Sequence, residues 1–250
     1  MLSSDAVVVV TGGGRGIGRA VSMLAAGRGY KVCLSYVSDA GAAAKVVAAI
    51  ETAGGAAVAV RCDVADEADV VALFEAADRL GTVTALVNNA GVVDLPARVS
   101  EMSAARLHRM MATNVVGSVL CAREAVRRMS TRSGGRGGAI VNVSSIAARL
   151  GGAGQFVDYA ASKGAIDSFT VGLAREVAGE GIRVNAVAPG IIDTEIHASG
   201  GTPDKAAALG PTVPMRRAGT AEEIAGPVLW LLSDEAAYTT GAILDVSGGR

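Results

Sequence analysis

The chain has 250 residues, half of them hydrophobic and 19% charged, with a formal net charge of −1. That length suits one α/β domain with a substantial core, spanning residues 1–250, and the composition excludes a disordered chain. The near-neutral balance leaves no electrostatic footprint for nucleic acid or an anionic membrane, so the expected partner is a small molecule.

From the start, residues 1–10 carry no basic n-region, and their apolar run breaks at Thr11 and Gly12. Neither a leader nor a membrane span is expected, and a cytoplasmic protein follows. Short β-rich apolar runs then alternate with longer helix-like segments, the pattern of βαβ units on a parallel sheet. Strands are predicted near 6–11, 31–35, 57–62, 85–87, 139–143, 183–187 and 242–246. Between them lie apolar residues at helical spacing, such as Ala68, Val71, Ala72, Leu73 and Ala76, so helices should cover both faces. The fold class is therefore a doubly wound, parallel, seven-stranded α/β sheet. Residues 189–218 show no regular pattern and carry Gly200, Gly201, Pro203, Pro211 and Pro214. A loop of that length in a compact domain is usually functional, and a substrate lid is expected there. Cys33, Cys62 and Cys121 are odd in number and set among apolar residues, which reads as buried free thiols. His108 and His197 are too few and too isolated for a metal cluster, so no metal is expected.

The loop Thr11-Gly-Gly-Gly-Arg-Gly-Ile-Gly18 follows the first strand and opens a helix. Backbone N–H groups and the helix dipole favour a phosphate there, and a Cβ would block its approach. The spacing is T-G-x-x-x-G-x-G, not G-x-G-x-x-G. In sites for NAD, an acid at the end of the second strand bonds the ribose 2′-hydroxyl. Here the strand ends Leu34-Ser-Tyr-Val-Ser38, with Tyr36 at that position and no acid before Asp39. A 2′-phosphate would be repelled by a carboxylate and welcomed by Arg15, Ser35 and Ser38, so NADP(H) is preferred over NAD(H).

Farther on, Tyr159 and Lys163 stand at i and i+4 on one helix face, a pairing that four tyrosines and four lysines would produce by chance only about 0.06 times. A nearby ammonium favours phenolate and brings Tyr159 toward a pH at which it can exchange protons. Asn88-Asn-Ala-Gly91, Asn114 and Ser144-Ser145 fall at the carboxyl ends of strands or on adjacent helices. Open parallel sheets bind ligands along that edge.

With these parts in order, the sequence resembles the short-chain dehydrogenase/reductase family over nearly its whole length, in the branch of 3-oxoacyl-carrier-protein reductases and bacterial glucose dehydrogenases. The resemblance implies a Rossmann-type fold and a carbonyl or alcohol substrate. It implies that Gly12, Gly16 and Gly18, with Arg15 and Ile17 between them, hold the pyrophosphate side of the cofactor. Asp63 and Val64 would border the adenine, and Asn88, Asn89, Ala90 and Gly91 the adenosine ribose and the sheet centre. Pro189, Gly190, Ile192 and Thr194 would meet the nicotinamide. Ser145 would bond the substrate oxygen, Tyr159 would pass it the proton, Lys163 would bond the nicotinamide ribose and lower the Tyr159 pKa, and Asn114 would hold a water feeding a proton relay. The residues 151–159 are one longer than the commonest family spacing, and the extra residue is assigned to the glycine-bearing loop 151–158. Substrate choice is expected in 189–218 and 102–111. Two alternatives stay open: a sugar or polyol dehydrogenase using NAD(P), and a dinucleotide sensor without catalysis. The helix 159–178 is apolar around more of its circumference than one sheet can cover, and with 104–129 it implies a homotetramer or homodimer.

Overall fold

In the computed structural model, which describes residues 3–195, 200–202 and 204–250, the strands are β1 (Ala6–Val10), β2 (Lys31–Tyr36), β3 (Ala57–Arg61), β4 (Thr82–Asn88), β5 (Gly138–Val143), β6 (Ile182–Pro189) and β7 (Ile243–Val246). They form one sheet in the order β3-β2-β1-β4-β5-β6-β7, and every neighbouring pair is parallel. The helices are α1 (Gly16–Gly27), α2 (Ala40–Thr52), α3 (Glu67–Leu80), α4 (Ala104–Met111), α5 (Gly117–Met129), α6 (Ala147–Leu150), α7 (Val157–Val177), α8 (Lys205–Leu209) and α9 (Ala221–Leu232). None of the described helices is long and apolar enough to cross a membrane.

β1 explains why the strands read as unbroken apolar runs. Its five residues are all buried, and their side chains alternate between two cores. Val8 and Val10 join a cluster with Val21 and Ala25 of α1, Val46 and Ile50 of α2, and Ile224, Val228 and Leu229 of α9. Val7 and Val9 join Leu73 and Phe74 of α3, Cys121 and Ala125 of α5, and Val177 of α7. A strand covered on both faces needs no polar face, hence continuous valine. β1 pairs with β2 on one side and β4 on the other. The strand order reverses there, and the crevice outside the carboxyl ends is the natural ligand site.

The described part of residues 189–218 holds more regular structure than its pattern suggested. It contains α8 and a 3₁₀ turn at Gly210–Thr212, elements too short to display a helical period. His197, judged no metal ligand, and Pro203, counted among the lid's prolines, lie outside the described residues.

Candidate active site

The loop after β1 is held from two sides. Asn89 donates from Nδ2 to the carbonyls of Thr11 (2.8 Å) and Gly12 (3.1 Å), while the Thr11 hydroxyl accepts from the N–H groups of Asn89 and Ala90. On the other side, the Gly12 N–H donates to the Ser35 hydroxyl at 3.1 Å and the Gly13 N–H to the Ser35 carbonyl at 2.9 Å. This corrects the reading of Ser35 as a phosphate contact. The residue is 1% exposed and ties the loop to β2. Gly18 must be glycine for a packing reason, because a Cβ there would collide with the Gly12 carbonyl oxygen and the Asn89 amide.

α1 starts without the side-chain cap that α2, α3, α4 and α9 have. Its N-cap residue Arg15 makes no side-chain cap, and its first turn holds no acid. α2, α3, α4 and α9 are capped by Asp39, Asp66, Ser103 and Thr220 respectively. The first-turn N–H groups of α1 thus lack the side-chain acceptor that each of those helices supplies itself. Asp39, the acid nearest the end of β2, spends a carboxylate oxygen on the Ala42 N–H at 2.8 Å. Arg15 and Ser38 are exposed and Tyr36 is half-buried. Asp63 is partly exposed after β3, and Val64 is buried against Gly117.

The two asparagines after β4 part company. Asn88 points into the sheet and donates to Asn142 Oδ1 (2.9 Å) and the Ser118 carbonyl (3.0 Å). Asn142 in turn donates to Thr170 Oγ1 at 2.8 Å. This buried ladder runs from β4 through β5 to α7 and makes Asn88 a sheet residue, not a cofactor contact. Asn114 lies in a π-helical turn, Ala112–Val116, between α4 and α5, and such bulges concentrate at functional sites. Its Oδ1 accepts from the Val92 N–H (2.8 Å), and its Nδ2 donates to the Val92 carbonyl (3.0 Å) and Ser162 Oγ (3.0 Å). The side chain is therefore committed to protein, and the Asn114 carbonyl accepts from the Ser118 hydroxyl at 3.0 Å.

A cavity of about 410 Å³ opens beside these elements. It gathers Ile17, Asn89 and Gly91 from the cofactor side, Ser145, Tyr159 and Lys163, and Pro189, Gly190, Ile192 and Thr194 from the segment after β6. Lys163 is 5% exposed; its Nζ donates to the Val143 carbonyl at 2.7 Å and sits 5.7 Å from the centre of the Tyr159 ring. Burial lowers the Lys163 pKa from 10.5 to about 8. Burial raises that of Tyr159, and the hydrogen bond with Ser145 pulls it the other way. Lys163 is not among the groups acting on the Tyr159 pKa here, and its ammonium is turned to the Val143 carbonyl.

Ser144 and Ser145 take opposite sides. Ser144 is 2% exposed and donates to Asp167 Oδ1, whereas Ser145 meets Tyr159 and accepts the Ala147 N–H at 3.1 Å. The connection between α6 and α7 turns through Gly151, Gly152 and Gly154, all at positive φ, so extra length there costs little strain. No residue of 102–111 lines the cavity, contrary to expectation. α4 instead sends Arg106 to Asp158 in a buried two-pronged pair at 2.7 and 3.1 Å. Lining residues that had no reading of their own in the sequence include Phe156, Arg250 and, within the predicted lid, Lys205 and Leu209. Only chain folding brings them together, and no local motif announces them.

Residues 12–250 match the family model described as enoyl-(acyl carrier protein) reductase. An uncharacterized oxidoreductase, YgfF, of Escherichia coli (strain K12) is 52% identical over 98% of this chain and all of that one. A short chain dehydrogenase from Burkholderia cenocepacia J2315, solved in complex with NADP, superposes with a TM-score of 0.89 at 31% identity, over 98% of this chain and 97% of that one. A blue fluorescent protein from a metagenomic library, solved with NADPH, gives 0.88 at 36% identity over 98% and 97%.

Proposed function

The chain belongs to the short-chain dehydrogenase/reductase family, and from that premise we propose that it is an NADP(H)-dependent oxidoreductase moving a hydride between the nicotinamide and a carbonyl or alcohol, with Tyr159 as acid/base. The observation that carries the proposal is the meeting of Ser145, Tyr159 and Lys163 in one cavity that also reaches Ile17 and Asn89 of the dinucleotide side.

The residues present fit a dinucleotide. The uncapped, acid-free first turn of α1 suits a pyrophosphate, and Gly12 and Gly16 adopt positive φ where the chain must pass close to it. Asp63 and Val64 would border the adenine, with Asn89, Ala90 and Gly91 along the ribose. Pro189, Gly190, Ile192 and Thr194 would face the nicotinamide. A 2′-phosphate is favoured because Asp39 is spent on capping α2, Tyr36 fills the acid's usual place, and Arg15 and Ser38 are free to approach. When bound, the cofactor supplies or accepts the hydride. Tyr159, whose pKa burial raises so that it is protonated at neutral pH, gives its proton to the substrate oxygen, and Ser145 holds that oxygen with a hydrogen bond that strengthens as charge develops. Lys163, largely an ammonium at neutral pH, would donate to the ribose hydroxyls and keep a positive charge beside the phenol. Asn114 positions Val92 and Ser162 and would border a relay water. Residues 189–218 act as the substrate lid of a single domain. Three buried free thiols, Cys33, Cys62 and Cys121, suit a reducing cytoplasm, and the active form is a homotetramer or homodimer.

Loss of NADPH absorbance with a panel of carbonyl compounds tests the reading. Tyr159→Phe should keep NADPH binding and lower turnover by about 10²–10⁴-fold. Tyr36→Asp should erase a preference for NADPH over NADH of about tenfold or more. Ordinary turnover in Tyr159→Phe would refute the acid/base assignment.

A further inference from the structure

Beyond the reacting groups, the cavity has an unusual charge pattern. The side chains of its described lining include three cations, Lys163, Lys205 and Arg250, and no Asp or Glu. Lys163 is accounted for by Val143 and the proposed ribose contact. The other two are not. Lys205 comes from α8 and is half-buried, and its Nζ lies 4.1 Å over the ring of Phe156. Phe156 precedes Tyr159 by three residues and is the N-cap residue of α7. Arg250 comes from beyond β7 and lies close enough to disfavour charge on Lys205, whose pKa is lowered first by burial and then by that neighbour.

Lys205 is held half-buried at the cavity wall against the repulsion of Arg250 and its own desolvation cost, while Arg250 is exposed. A surface lysine usually avoids both by staying in water. Among the described residues neither cation has a carboxylate partner within ion-pair distance, although other arginines of the chain do, Arg106 with Asp158 and Arg217 with Glu223 among them. The ring of Phe156 steadies the Lys205 stem and head but leaves its N–H donors free for an acceptor. An anion entering the cavity would remove the repulsion, satisfy those donors and be oriented with its far end toward Ser145 and Tyr159.

We infer that Lys205 and Arg250 form an anion-recognising wall and that the substrate is an acid-bearing carbonyl compound, an oxo acid or its hydroxy acid, whose anionic group sits on this wall while its carbonyl meets Ser145 and Tyr159. The inference rests on the hydride-transfer reading above. In the reaction the carbonyl carbon takes a hydride from NADPH, the oxygen takes the proton of Tyr159, NADP⁺ leaves, and the anionic group is unchanged. A carboxylate and a phosphate monoester would satisfy the wall by the same chemistry, so the test carries both.

NADP-saturated protein is titrated calorimetrically with 4-oxopentanoate, 5-oxohexanoate and 6-oxoheptanoate, each beside its methyl ester, and with dihydroxyacetone phosphate beside dihydroxyacetone. The anion should bind about tenfold or more tightly than its neutral partner in at least one pair, as expected for a charge-assisted hydrogen bond in a half-buried site. The pair that shows it identifies the anionic group. Lys205→Met keeps the aliphatic stem on Phe156 and should bring that preference to near unity, and Arg250→Met should reduce it. No anion preference in any pair, or a preference untouched in Lys205→Met, overturns the inference. NADPH consumption is followed in parallel with the same compounds. Turnover of neutral and anionic partners alike would sink the anionic wall and leave hydride transfer standing. Anion binding that depends on Lys205 without any turnover would uphold the wall and sink the hydride-transfer reading.

Discussion

Ser144 and Ser145 show how two identical neighbours acquire different work. Ser144 is bonded to Asp167, a half-buried acid whose pKa burial raises and the Ser144 hydroxyl lowers. Ser144→Ala should therefore act on stability, by about 1–3 kcal/mol for a buried acceptor left short of a donor, with kcat/KM little changed. Ser145→Ala should instead cost about 2–4 kcal/mol in kcat/KM, as for other donors to a developing oxyanion, with Tm nearly unmoved. Thermal melts and steady-state kinetics on the two variants separate the roles, and the opposite pattern would move the substrate contact to Ser144. Lys163 carries a prediction about pH. Its pKa falls from 10.5 in the open chain to about 8 when folded. Between those values the unfolded chain holds a proton that the folded chain has lost, so this group favours folding more as pH rises from 8 to 10.5. Tyrosines and thiols titrate in the same range, so the measurement is a difference. The Tm of the ligand-free protein minus that of Lys163→Met should grow across the window, and a flat difference would mean that Lys163 is not desolvated.

Among the elements, α7 carries Tyr159 and Lys163, and its first turn is fixed by chemistry from outside. Arg106 of α4 reaches Asp158, the residue before Tyr159, with both side chains at least nine-tenths buried, and also donates to the Leu95 carbonyl. Burial alone would raise the Asp158 pKa, but the Arg106 hydrogen bond and charge, together with backbone N–H donors of the first turn, outweigh it and the carboxyl stays below its ordinary value. Removing one partner strands the other's charge. Arg106→Met should cost about 3–5 kcal/mol in urea unfolding, and Arg106→Met with Asp158→Leu should recover most of it. If the double variant is no more stable than Arg106→Met alone, the pair is not what anchors α7 to α4. Nothing in the sequence announced this pair, since Arg106 and Asp158 are 52 residues apart and each looks like an ordinary surface charge. The strands were legible because burial on both faces writes itself as apolar runs, as in β1. β4 was read short, at 85–87 instead of Thr82–Asn88, because Thr82 and Thr84 interrupt its run. The glycine loop and the Tyr159–Lys163 pair were legible because their chemistry depends on local spacing. Ser35 was misread because alternation along β2 does not say which hydroxyl an adjacent loop will take. The wall of Phe156, Lys205 and Arg250 was invisible because three distant segments build it.

At the scale of the whole molecule, α7 keeps one face that its own chain does not cover. A Cβ at Gly164 or Gly172 would meet nothing within 4 Å, and Ser168 between them is exposed. These residues are four apart and share a face. Each helical glycine costs about 1 kcal/mol relative to alanine, and in the monomer nothing offsets that cost, since both positions have room for a side chain. A second helix packed closely against the stripe would offset it, because small residues let backbones approach. Leu107 and Met111 of α4, Val116 in the π turn and Val119 of α5 are also exposed, by 38–49%, and would extend the same contact with another copy of the chain. In sedimentation at micromolar concentration the protein should therefore run as a dimer or tetramer of its 24.9 kDa chain. Gly172→Arg is the discriminating variant. Within one chain the new side chain enters open space and the helix gains propensity, so the urea midpoint of a dilute sample should hold or rise slightly. Across a closely packed pair of α7 helices it has no room, and association should weaken by tenfold or more, about 1.4 kcal/mol. A variant that stays fully assembled would show that copies of the chain meet elsewhere, and a native chain that sediments as a monomer would show that the exposed stripe has no such partner.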